Sequence, residues 1–111
     1  MKYKKLGNSD LIVSSICMGC MGFGDAQTGQ HSWTINENET RKIIKSALDL
    51  GINFFDTAPV YQNGTSEQFV GKALRDFAKR PPANALYGVS AIFSELQNGI
   101  ISLSSSLAIR L

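Results

Sequence analysis

The chain has 111 residues, 43% of them hydrophobic, and a formal net charge of +2. That allows one small domain with a modest core. It excludes a disordered chain, a collagen-like fibre and a strongly basic nucleic-acid binder, and no apolar run is long enough to span a membrane.

Lys2, Lys4 and Lys5 form a short basic patch with no arginine- or aromatic-rich face after it, and read as a solvated terminus. Tyr3 to Leu6 and Leu11 to Val13 predict a hairpin about Gly7-Asn8-Ser9-Asp10. The stretch from Leu11 to Met18 is too short and too interrupted by serine to be a signal core, so a cytoplasmic location is expected. Without a signal, the sequons at Asn38 and Asn63 carry no weight. Ile16 to Met18 then predict a small buried strand that ends in a glycine-rich loop. Cys17-Met18-Gly19-Cys20 is formally a C-x-x-C. A redox pair of that kind takes its low thiol pKa from a helix that starts at once, whereas Met21-Gly22-Phe23-Gly24-Asp25 follows here. Two thiols without further Cys or His pairs also fall short of a zinc site. The cysteines read as small strand residues, with thiol–redox chemistry at Cys17 and Cys20 as the alternative.

Asn36 and Glu39 form a capping-box pattern. The helix that follows puts Ile43, Ile44, Ala47 and Leu48 on one face and points Arg41, Lys42, Lys45 and Asp49 away from it. Gly51 fits the left-handed position that ends a helix. Ile52 to Phe55 predict a strand with Asp56 at its carboxyl end. Thr65 and Gln68 predict the cap of a second helix, whose apolar stripe is Phe69, Val70, Ala73, Leu74 and Phe77. Strands alternating with helices of these lengths predict an α/β fold with a parallel sheet. Functional groups collect at the carboxyl ends of such strands, where Asp56 and the loop from Gly19 to Gly24 both fall.

A carboxylate that follows Phe54-Phe55 is partly desolvated and wants a cation or hydrogen-bond donors. Tyr61 stands five residues on. A free phenol, with a pKa of about 10, is a poor acid at neutral pH unless a cation lowers that value. On pattern alone, Asp56 fits a loop hydrogen bond and Tyr61 an amphipathic rim position.

Four segments change that reading. They are Lys5-Leu6-Gly7-Asn8-Ser9, Met18-Gly19-Cys20-Met21-Gly22-Phe23-Gly24, Gly51 to Tyr61, and Gly64-Thr65-Ser66-Glu67 with Gly71-Lys72-Ala73-Leu74. In order and spacing they resemble the N-terminal quarter of the aldo-keto reductases, over residues 1 to about 80. The resemblance implies a partial (β/α)8 TIM barrel: the N-terminal hairpin and the first two βα units. It implies NADPH-dependent reduction of a small-molecule aldehyde or ketone. Tyr61 would protonate the carbonyl oxygen as hydride arrives from the nicotinamide, and Asp56 would support a lysine beside it. Gly19, Cys20 and Met21 would lie beneath the nicotinamide and ribose, with Asp56 bordering the same site. Gly19-x-x-Gly22-x-Gly24 lacks the spacing and the following helix of a dinucleotide fingerprint, so the loop reads as lining.

Residues 81–111 depart from the pattern. Residues 1–80 hold ten of the eleven Lys/Arg and eight of the nine Asp/Glu, and no lysine follows Lys79. The family's third strand ends in Ala-Thr-Lys, whereas this chain reads Pro81-Pro82-Ala83-Asn84-Ala85-Leu86-Tyr87-Gly88-Val89-Ser90. Lys72 and Lys79 ride a helix that returns to the opposite face of the sheet. The one histidine, His31, lies in the loop before the first helix, so it is not the family's catalytic histidine. A full barrel needs about 250 residues. The expectation is therefore an inactive fragment at 1–80, followed by an atypical low-charge tail at 81–111 that arose by frameshift, truncation or fusion. A non-catalytic binding remnant of the barrel is the alternative. Open sheet edges predict low stability and self-association.

Overall fold

The computed structural model describes residues 1–8 and 12–78, together with the backbone of 87–90 and 107–109. Residues 9–11, 79–86, 91–106 and 110–111, and with them most of the low-charge tail, lie outside the described residues.

Strands β1 (Tyr3–Lys5) and β2 (Ile12–Ser14) pair antiparallel, Lys4 opposite Val13, as the hairpin pattern predicts. The hairpin is fastened below the main sheet by Asn53. The Asn53 Oδ1 accepts from the Ser14 N–H at 2.7 Å, and its Nδ2 donates to the Ile12 carbonyl at 3.0 Å. The Tyr3 hydroxyl donates to the Gly51 carbonyl at 2.8 Å. These bonds seat the hairpin at the amino-terminal end of the strand that carries Asp56 and leave the carboxyl end open.

Strand β3 is Met18–Gly19, shorter and later than the predicted Ile16 to Met18. Ile16 is 55% exposed. As an edge strand, β3 pairs only where β4 (Phe54–Asp56) offers partners, with Met18 opposite Phe55 and Gly19 opposite Asp56. Between them runs α1 (Glu37–Asp49), capped by the Asn36 side chain, which accepts from the Glu39 N–H at 3.0 Å. The Glu39 carboxylate binds Lys42 at 3.1 Å on the helix surface. The helix ends as predicted: the Gly51 N–H reaches the Leu48 carbonyl and the Ile52 N–H the Ala47 carbonyl, both at 3.0 Å, with Gly51 at φ +90°. Ile52 thus finishes the helix and does not begin the strand.

Helix α2 (Thr65–Phe77) packs on α1. The two predicted stripes meet: Ile44, Ala47, Val70, Ala73 and Leu74 are buried against Phe55, Cys20 and Phe23, and Ile43, Leu48 and Phe77 border them. Arg41 does not point away as the pattern predicts. It lies 4.7 Å over the Phe77 ring and binds Asp76 at 2.7 Å, which tethers the helices at their rim. The expected Thr65 cap is also corrected. The N-cap residue is Gly64, in the left-handed region and without a side-chain cap bond, while Thr65 is already helical.

Strand β5 (Tyr87–Ser90) continues the sheet parallel to β4, with Ser90 opposite Asp56, and β6 (Leu107–Ile109) lies antiparallel beyond it. The four-stranded sheet, in the order β3-β4-β5-β6, is open. Hairpin, parallel βα units and an unclosed sheet are the partial barrel architecture that the sequence predicts.

Candidate functional site

The pairing of β3 with β4 brings the predicted residues together at one end of the sheet. Gly19 stands in register with Asp56, and the Cys20 N–H donates to the Asp56 carbonyl at 2.8 Å. Asp56 closes β4 half-buried. Thr57 and the fully buried Ala58 turn the chain inward, and the Tyr61 N–H closes that turn on the Ala58 carbonyl at 3.1 Å. Tyr61 opens a tight turn, Tyr61–Gly64, that leads directly into α2. Asp56, Tyr61, Gly19 and Cys20 therefore share one rim, and Met21, 43% exposed, lies at its edge.

The electrostatics of this rim are all of one kind. Burial raises the Asp56 carboxyl above its ordinary value. Burial, then the nearby Asp56 charge, then Cys20, raise the Tyr61 phenol. Burial pushes Cys20 up to about 12, with Cys17 and Asp56 adding to it, and burial and then Asp56 raise Cys17 as well. Every group here is held toward its protonated form, because burial disfavours charge and each neighbour is another acid. Among the described residues no cation forms an ion pair with Asp56. Lys72 instead faces Glu37 on α1, 3.7 Å away, as its helix position predicts. Lys79 lies outside the described residues.

The same environment disfavours thiol chemistry. Cys20 is buried, and its Sγ lies 3.4 Å from the Met18 carbonyl. Reactive thiols sit in electropositive surroundings that lower their pKa, and both thiols here are shifted the other way.

Two residues to which the sequence assigned no role hold the site. Ser66 is fully buried at the start of α2. Its Oγ donates to the Cys20 carbonyl at 2.7 Å and lies 3.2 Å from the Thr57 Oγ1, which ties the helix to both loops. Gln62, 1% exposed, holds the loop after β3 through its amide. The Asn63-Gly64 pair signals a left-handed turn, but no pattern marks Gln62 as its buried member.

For a nicotinamide dinucleotide, the described residues offer open surface at Gly19 but no cation at this rim. A Cβ on Gly19 would meet no atom within 4 Å, so the surface above it is open. Lys45 and Lys72, with Arg41 and Arg75, make their ion pairs on the outer faces of the helices. Lys4 and Lys5 belong to the hairpin at the opposite end. The described residues therefore do not fit the whole cofactor, because they bring no cation for its phosphates to this rim.

The hairpin, the parallel strands β3, β4 and β5 and the two helices are a partial β/α-barrel arrangement, with an acid and a phenol near its carboxyl edge. Residues 16–87 match the Aldo/keto reductase family, and the chain belongs to that family. It is 43% identical over 77 residues to the versiconal hemiacetal acetate reductase of Aspergillus parasiticus, which covers 69% of this chain and 22% of that protein. A Schizosaccharomyces pombe protein named for the aryl-alcohol dehydrogenases is 37% identical over 109 residues, 97% of this chain and 30% of that one. Among solved structures, the thermostable aldo-keto reductase Tm1743 superposes with a TM-score of 0.56 at 32% identity, over 69% of this chain and 27% of that one. The chain thus spans less than a third of the length of these relatives.

Proposed function

We propose that these residues carry half of a reductase active site. Tyr61 is the proton donor to a carbonyl oxygen and Asp56 the carboxylate that supports it, and residues 1–111 alone do not turn over. One observation carries this reading: Tyr61 and Asp56 share a rim on which burial raises both and the Asp56 charge raises Tyr61 further, with no cation paired to Asp56 among the described residues. A phenol raised above about 10 gives up its proton too reluctantly to serve at neutral pH. A lysine would reverse both shifts, since an opposite charge within a few ångströms favours the ionised form. Ser90 is in register with Asp56 on the neighbouring strand, at the end where the family's lysine is expected.

Gly19, Cys20, Met21 and Asp56 are the nicotinamide-side residues in this proposal, the substrate is a small carbonyl compound, and the location is cytoplasmic. In a complete site of the family NADPH would supply the hydride, and this chain's part would be to hold the proton at the Tyr61 hydroxyl. Titration with NADPH, followed through the single tryptophan, Trp33, tests the half-site. Weak, unsaturated quenching is expected. Saturation at concentrations on the order of micromolar, as for a complete dehydrogenase site, overturns it.

A second reading, a non-catalytic binding remnant of the barrel that associates with itself, draws on the place of β3 at the edge of the sheet among the described residues. Ile16 and Leu50 are 55% and 70% exposed there, beside an apolar groove lined by Met18, Ile43 and Ile52. A monodisperse monomer in sedimentation velocity contradicts it. The origin of residues 81–111 is tested by the encoding nucleotide sequence: a frame that restores a strand ending in lysine supports a frameshift.

A further inference from the structure

We propose that Gln62 is a positioning residue whose buried amide locks the loop of residues 25–34 against the turn that carries Tyr61. The Gln62 Nε2 lies within hydrogen-bond distance of the carbonyl oxygens of Asp25 (2.8 Å), Thr28 (2.7 Å) and His31 (2.7 Å), and of the Thr34 hydroxyl (3.2 Å). Its Oε1 accepts from the His31 N–H at 2.9 Å. One side chain thus gathers an entire loop whose backbone groups have no sheet to join. A buried amide surrounded by acceptors on one side and a donor on the other also has a single satisfactory orientation.

The backbone beneath it makes the same point. Gln62 and Asn63 lie at φ +49° and φ +56°, and Gly64 follows at φ +88°. Glycine and asparagine enter this region readily, whereas glutamine has neither the missing Cβ nor the short side chain that bonds locally. The conformation of Gln62 is therefore imposed by its surroundings, and strain of this kind gathers at functional sites. The loop is shaped to match. A Cβ on Gly24 would fall 2.5 Å from the Gln62 Cβ, and one on Gly29 would fall 2.6 Å from the Gln62 Cα. Thr65 adds a second tie, accepting from the Asp25 N–H at 2.9 Å and donating to the Gln62 carbonyl at 2.7 Å.

The consequence falls on the residue next door. Tyr61 is anchored behind by its N–H bond to the Ala58 carbonyl and ahead by the left-handed turn, so the lock fixes the backbone direction from which its phenol projects. It also fixes His31 and Trp33, whose rings stack at 4.7 Å on the same loop. The importance of that direction for catalysis rests on Tyr61 being the acid, but the lock itself is measurable without turnover.

The test combines amide hydrogen exchange with titration of the Tyr61 ring by NMR in the full chain, the Tyr61 signal being assigned by Tyr61→Phe. In Gln62→Ala the His31 amide is expected to exchange faster by on the order of tenfold or more. The α1 amides should keep their protection, and Tyr61 should titrate nearer an ordinary phenol. Gln62→Gly relieves the backbone but supplies no amide, so it should loosen the loop equally. Unchanged exchange and titration in Gln62→Ala overturn the proposal. So does a Gln62→Gly chain that keeps the loop protected, or a loss of α1 protection equal to that of the loop. If neither variant folds, the native chain decides: a protected His31 amide supports the lock, and one exchanging at the free-peptide rate overturns it. Failure of Tyr61 as an acid leaves all these readouts unmoved, so the two ideas fail separately.

Discussion

Ser66→Ala tests how the two loops of the site are joined. The hydroxyl it removes donates to the Cys20 carbonyl at 2.7 Å and stands 3.2 Å from the Thr57 Oγ1, at a fully buried position. The Cys20 carbonyl is not orphaned by the change, because the Phe23 N–H still reaches it at 3.1 Å. Thr57, 2% exposed, loses this hydroxyl partner with little access to water in exchange. At about 1 kcal/mol per bond, give or take half, two lost bonds destabilise by about 1–3 kcal/mol. Alanine opposes this as the better helix former, by up to about 0.5 kcal/mol. The opposing term is smaller still in the first turn, where Ser66 sits. The hydrogen bonds win, and the net cost is about 1–2 kcal/mol. With a urea slope of about 1–3 kcal/mol per molar, the unfolding midpoint should fall by about 0.3–2 M. Urea denaturation followed by circular dichroism reads this directly. A midpoint that stays put or rises refutes the claim that Ser66 joins α2 to the rim.

Two further predictions concern the rim's charge. The folded pKa of Asp56 is raised above its unfolded value, so the folded state holds more protons across a window that begins near about 3.9, and stability falls as pH rises through it. Asp56→Asn should therefore raise the urea midpoint at neutral pH and lose that advantage in acid below the window. An advantage that does not change with pH contradicts the burial argument. The same variant should lower the Tyr61 pKa without bringing it to the ordinary value, because burial, the larger cause, remains. For the thiols, iodoacetamide should label Cys17 more slowly than a free peptide thiol and reach Cys20 only as the chain unfolds. Rapid labelling of both in the folded chain would return the thiol–redox alternative.

The helices were the most legible part of the fold. Apolar spacing located the Ile44–Ala47 and Val70–Leu74 stripes, because packing against a sheet demands one continuous face. Gly51 was legible for a stereochemical reason, as the helix could end there only through a left-handed residue. Strand bounds were not, since β3 exists only where β4 offers partners, and Ile16 looks buried in the sequence but is 55% exposed. Arg41 likewise follows helical spacing, yet its final position depends on Phe77 and Asp76, which belong to another helix. At the site, the places of Asp56 at a strand end and of Tyr61 just before a helix were local features, whereas their proposed roles come from the family resemblance and not from the pattern. Gln62 and Ser66 could not be read locally. Their roles depend on carbonyls 31 to 46 residues away in sequence, which only the folded chain brings near.

The central claim is that Asp56 and Tyr61 are half of an active site. Its most direct test is NADPH-dependent reduction of a panel of aldehydes by residues 1–111, beside the Tyr61→Phe variant. Equal background rates from both are predicted, because without a cation beside it the phenol does not serve as the acid at neutral pH. Turnover that disappears in Tyr61→Phe would contradict the account, since the chain would then possess a working acid in the absence of the family's lysine.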